Sequence, residues 1–194
     1  MDTTAKQDRH SPRFDPLVAT AYHEAGHAVA SNRLGFEFRL VTIVPTQEAR
    51  GSLARNRLKA KLRKLAEGDV TANDMARWHD YILTVLAGGE AQRKFRPSSL
   101  RRYMLSGDYD NIQTTLEALH PQNEQPPVLR WLRIRTRNFI NRPLHWRYVE
   151  DVASALLEHR TLTGADVTAI IRKSFQTQML EARRHRMNPP VAGH

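Results

Sequence analysis

Thr20–Val29 reads T-A-Y-H-E-A-G-H-A-V, and the spacing of its two histidines decides how the rest of the chain is read. Residues four apart on a helix lie one turn apart on the same face. His23 and His27 are therefore expected to aim two imidazoles at one point, with Glu24 beside them. An H-E-x-x-H on a helix is the layout in which two histidines hold zinc while the glutamate acts as general base toward the metal's water. Nine histidines in 194 residues also allow the pattern to arise by chance, as ordinary helix-surface side chains, so the surroundings must decide. From Pro16 to Leu34 the chain has no internal proline, and Leu17, Ala21, Ala25, Ala28 and Val29 recur at helical spacing, which predicts the required helix. Gly26 costs that helix up to about 1 kcal/mol relative to alanine, so a neighbouring element is expected to pack closely there.

Composition narrows the chemistry. A chain of this length makes one domain with a substantial core. It contains no cysteine, which excludes disulfides and thiolate zinc sites and leaves nitrogen and oxygen as metal ligands. Thirty Lys plus Arg against twenty Asp plus Glu give a net charge of +10, a bias toward acidic partners or simply a solvated basic surface. No window reaches the roughly 18 consecutive apolar residues of a membrane span, and Met1–Asp15 lacks the apolar centre of a secretory signal. A soluble, cytoplasmic protein is the expectation. No G-x-x-x-x-G-K-[ST] occurs, so activity is expected to run without ATP.

The predicted organisation is a disordered arm over 1–15, a metallopeptidase domain over 16–182 and a tail over 183–194. Gly35 closes the first helix. Phe36–Pro45 (F-E-F-R-L-V-T-I-V-P) alternates like a strand stopped by proline, with a turn near Gly51, and a lone strand implies a small sheet. Such a strand could also pair with an extended substrate. Leu53–Leu65 combines helical leucine spacing with six basic residues. Asn73–Phe95 is a second long helix, with Met75, Trp78, Ile82, Val85 and Leu86 on one stripe and Gly88-Gly89 inside it. Ser106–Asp110 opens a helix through Leu119, and Pro121–Pro127 reads as a linker. Arg130, Arg133, Arg135 and Arg137 interleave with Trp131, Leu132, Ile134 and Phe139, a pattern that suits base stacking or, preferably, an amphipathic helix with snorkelling arginines. A final helical pair spans Trp146–Lys173, broken at Thr161–Gly164. The fold class is mainly α with a small β-sheet (α+β).

Five segments, in order, resemble the peptidase domain of the FtsH family, the membrane AAA proteases. T-A-Y-H-E-A-G-H-A-V matches the family's zinc-binding helix almost word for word, and V-T-I-V-P at Val41–Pro45 resembles the strand after it. Leu86–Ala91 is similar to the L-G-G-R-A-A helix, Ser106-Gly107-Asp108 to the segment bringing the third metal ligand, and Leu156–Gly164 to L-L-E-x-E-T-L-T-G. The resemblance runs from about Leu17 to Arg172. Glu90 stands where the family has arginine, the basic stretch Arg55–Lys64 has no counterpart, and these 194 residues carry no phosphate-binding loop of an ATPase.

The resemblance implies a standalone zinc metalloendopeptidase that cuts unfolded or flexible protein segments, with His23, His27 and Asp108 as metal ligands and Glu24 as the catalytic base. Counting from Asp108 places Tyr109, Ile112 and Leu116 one, four and eight residues on, the apolar phase of the family's ligand helix. Asp110 is the alternative ligand, with Asp108 then a helix N-cap. Two other functions remain open: a peptidase-like binding domain that does not cleave, and a basic nucleic-acid-binding protein, the latter disfavoured because the basic residues are dispersed.

Overall fold

The computed structural model describes residues 15–45, 71–99 and 106–187. The expected arm up to position 14, the turn near Gly51, the basic stretch Leu53–Leu65 and the end of the tail lie outside them. The described chain is mainly helical with one two-stranded sheet, the α+β class expected. Among the described residues, no helix is long and apolar enough to cross a membrane.

The first helix, α1 (Pro16–Arg33), starts where the sequence supplies a start: Asp15 caps it by accepting from the Leu17 N–H at 2.8 Å, and Pro16 takes the first turn, where its missing N–H costs nothing. Leu34 ends the helix, and the chain leaves through Gly35 at φ 69°. The helix lies at the centre of the molecule, buried from Ala19 to Ser31 except at Thr20 and Tyr22. Small side chains make this possible. A Cβ on Gly26 would stand 2.5 Å from the Ala87 carbonyl oxygen, so the close packing expected at this glycine is against α2 (Ala72–Phe95).

The second helix opens with a reciprocal capping box between Thr71 and Asp74, and Trp78, Ile82 and Val85 of its expected stripe are buried. Helix α3 (Ser106–Leu119) follows, then α4 (Gln125–Asn141), α5 (Pro143–His159) and α6 (Gly164–Met187). Two departures from expectation have a common cause. Pro126 and Pro127 lie in the first turn of α4 rather than in a linker, and Pro143 begins α5; proline breaks helices only from the second turn onward. At the far end, α6 runs on through Arg183 and Arg184 to Met187, so helix occupies the first residues assigned to the tail.

The strand is shorter than its alternation suggested. Its ladder is Leu40–Thr42 (β1), antiparallel to Thr161–Thr163 (β2), with Val41 opposite Leu162. Pairing needs a partner, and β2 has three residues. Upstream, Arg77 fixes the turn out of α1: it donates to the Leu34 and Gly35 carbonyls at 2.6 Å and stacks 3.7 Å over the Phe36 ring. The break expected at Thr161–Gly164 is thus the second strand, entered through Arg160 at φ 66°.

Two apolar clusters hold these pieces. The larger joins α1, β1 and α5 through Ala25, Val29, Val41, Tyr148, Val152 and Leu156. The smaller joins α2, α3 and α4 through Ile82, Val85, Ile112, Leu116 and Leu132, and it sets the rotation of α3.

Candidate metal centre

Because Ile112 and Leu116 are buried in that smaller cluster, the residue one turn before Ile112 faces the same way. That residue is Asp108, in the first turn of α3. Its Oδ2 lies 3.3 Å from His23 Nε2 and 3.4 Å from His27 Nε2, and the two Nε2 atoms are 3.0 Å apart. Asp110, the competing aspartate, is exposed. His23, His27 and Asp108 form a group able to hold a metal ion.

The protonation of the rings follows from what their other nitrogens meet. His27 Nδ1 is 2.8 Å from the Thr84 carbonyl oxygen, which only accepts, so Nδ1 carries the hydrogen. His23 Nδ1 lies 3.1 Å from Gln92 Oε1, and the Gln92 amide is oriented by its own donation to the Ser99 carbonyl at 3.1 Å. In the neutral rings both Nε2 atoms therefore present lone pairs to the point they share with a carboxylate oxygen. Three such acceptors crowded together repel one another unless a cation or proton stands among them. A tetrahedral zinc with nitrogen and oxygen ligands about 2.0–2.2 Å away has ligand–ligand edges of about 3.3–3.6 Å, close to the observed triangle. The donor set fits.

Electrostatics point the same way. Burial works against a charge on His27, yet the Asp108 carboxylate, aided by Glu24 and the Thr84 carbonyl, pushes the imidazole up to about 9. Burial likewise opposes ionised Asp108, and the two histidines outweigh it, holding the carboxyl well below its usual range. Glu24 is itself only 3% exposed, on the same helix and within electrostatic reach of His27.

Several supports were not legible as such. Gly88 is needed because a Cβ there would stand 2.3 Å from His27 Nε2; the glycine pair hinted at it only by resemblance. Gln92, fully buried, and the Thr84 carbonyl carried no sequence signal. Glu90 is buried and pairs with Arg93 and with Arg137 at 3.4 Å. Together with Asp108, Tyr109 and Arg133 these groups line a cleft of about 350 Å³ beside the triad. The arginines of α4 are largely engaged with the protein itself: Arg133 donates to the Tyr109 hydroxyl at 2.8 Å, and Arg135 stacks 4.8 Å over Trp131, as snorkelling side chains do. No model of a known protein family matches the chain, and no curated protein matches it either.

Proposed function

We propose that this protein is a zinc-dependent endopeptidase, of the kind its sequence resembles in the FtsH family, acting on unfolded or flexible protein segments without ATP. The observation that carries the reading is the triangle of His23 Nε2, His27 Nε2 and Asp108 Oδ2, with Glu24 buried beside it. Three protein ligands are the number that catalytic zinc keeps, whereas structural zinc takes four. When bound, zinc supplies a water with a pKa of about 7 and polarises the scissile carbonyl.

The chain's own groups do the rest. Gln92 and the Thr84 carbonyl fix the ring orientations by accepting the Nδ1 hydrogens, which also raises the basicity of the ligating nitrogens. Asp108 contributes the one negative charge of the ligand set. Glu24 takes the proton of the attacking water and passes it to the leaving amine nitrogen. The cleft that Asp108 lines receives substrate.

Digestion of denatured casein, with and without a chelator, tests this. Glu24→Gln keeps a neutral isostere in place of the base, so metal stays bound while turnover falls at least about 10²-fold. Unchanged turnover in that variant ends the assignment. Metal bound by a wild-type protein that cleaves nothing points instead to a peptidase-like binding domain. ATP is expected to change nothing, and a stably folded test protein to be cut far more slowly than its denatured form.

A further inference from the structure

We propose that the cleft beside the metal triad is a subsite for an acidic substrate side chain, with Arg133 as its specificity-determining residue; this rests on the peptidase reading above. Asp108 lines the cleft and belongs to the triad, so a side chain seated there belongs to a residue close to the scissile bond. At about 350 Å³ the space lies near the lower end of ligand pockets. It suits one or two side chains.

Its charge is unbalanced. Three guanidinium groups, Arg93, Arg133 and Arg137, face the cleft, and Asp108 is committed to the histidines. Glu90 is the remaining carboxylate of the lining, and it already pairs with both Arg93 and Arg137. Arg133 is left with a neutral partner, the Tyr109 hydroxyl, and has no carboxylate within ion-pair distance among the described residues. Tyr109 directly follows Asp108. The bond from Arg133 Nη2 to that hydroxyl, with the guanidinium 5.6 Å from the ring, therefore ties a half-buried cation to the residue next to a metal ligand. A guanidinium with donors to spare presents a planar fork that carboxylates match bidentately. Leu86 and Ile112 supply apolar wall for the methylenes of such a side chain. Lysine is repelled there.

Matched peptides that differ only by Glu, Gln or Lys, scanned through the positions flanking the scissile bond, test this with the zinc-loaded protein. At one position kcat/KM for Glu should exceed that for Gln by about tenfold, the factor one charge-assisted hydrogen bond supplies. Arg133→Gln should collapse this ratio to about one, and Arg133→Glu should turn the preference toward Lys. Arg135→Gln, on the same helix but stacked over Trp131, should keep the wild-type ratio and controls for loss of overall charge. Equal cleavage of all three peptides, or a preference that survives Arg133→Gln, overturns the subsite while leaving the peptidase reading intact. If no peptide is cut, the peptidase reading falls and binding decides the subsite. Fluorescence anisotropy with zinc-loaded Glu24→Gln then either shows tighter, Arg133-dependent binding of the Glu peptide, which sustains the proposal, or equal binding of all three, which ends it.

Discussion

His23 and His27 bring their Nε2 atoms to 3.0 Å, and so do His79 and His120 on the other side of α2. The surroundings make them different devices. At the first pair both Nδ1 hydrogens go to fixed acceptors and a carboxylate closes the triangle, so the shared point calls for a cation or a proton. At the second pair the rings lie parallel, at 3°, no carboxylate approaches the Nε2 atoms among the described residues, and Glu124 stands 3.7 Å from the far nitrogen of His120. One ring can then donate to the other without help. Burial, His120 and Arg135 together hold His79 below its ordinary range, the reverse of His27. What marks the first pair as able to hold a metal, and the second as a hydrogen-bonded pair, is thus the carboxylate that completes the group and the acceptors behind the rings.

Removing those features should erase the difference. His23→Ala, His27→Ala or Asp108→Ala should abolish stoichiometric zinc by mass-spectrometric metal analysis, a loss larger than the about 10–100-fold that follows removal of an outer partner. Asp110→Ala and His120→Ala should leave one zinc per chain. A second equivalent of zinc lost on His120→Ala would make the two pairs alike and undo the argument. Gly88→Ala ranks next, because its Cβ would stand 2.3 Å from His27 Nε2. Overpacking of this kind costs about 1–3 kcal/mol, so both zinc content and thermal stability should drop; a variant that melts and binds zinc like wild type would show that the ring can give way.

How much of this could be read from the chain depended on whether a contact was local. The His23–Glu24–His27 layout and the phase that favours Asp108 over Asp110 follow from spacing within one helix, and the close approach at Gly26 from the cost of glycine inside one. The other half of each interaction is remote. Thr161–Thr163 lies some 120 positions from the strand it pairs with, so the sequence showed an alternating segment without showing where pairing would stop. Gln92 looks like any polar helix residue until α1 is laid against it. Trp131 and Ile134 broke the simple reading of α4 for a related reason: Leu132, Thr136 and Ile140, four apart, form the buried stripe, which leaves Trp131 and Ile134 on the exposed side.

The behind-the-ring acceptor can be removed alone. Gln92→Leu keeps most of the volume and deletes the partner of His23 Nδ1, which frees that ring's tautomer. Zinc affinity measured against a competing chelator should fall about 10–100-fold, with the fold retained by circular dichroism. An unchanged affinity would mean that the Asp108 carboxylate and the Thr84 carbonyl suffice to orient the site.

The smallest expected effect separates the pairs by pH. In metal-free protein His27 is raised to about 9 from 6.5, so its contribution to stability is fully present below about pH 6.5 and is lost as pH rises through about 9. His79 is lowered from 6.5, so its contribution is present above about pH 6.5 and is lost as pH falls through its folded value; His145, lowered by burial, acts in the same direction. Chemical denaturation of the metal-free protein should therefore give a stability maximum near the ordinary histidine pKa, with an acid limb and an alkaline limb. His79→Phe should shrink the acid limb to the part that His145 supplies, together with what the lowered carboxyls of Asp108, Asp74 and Asp166 supply below about pH 4, and leave the alkaline limb alone. Zinc should offset the alkaline limb, because binding requires neutral His27 and releases its proton. Stabilisation by saturating zinc should then grow with pH up to about 9. An alkaline limb untouched by zinc, or removed by His79→Phe, would assign the proton to the wrong pair.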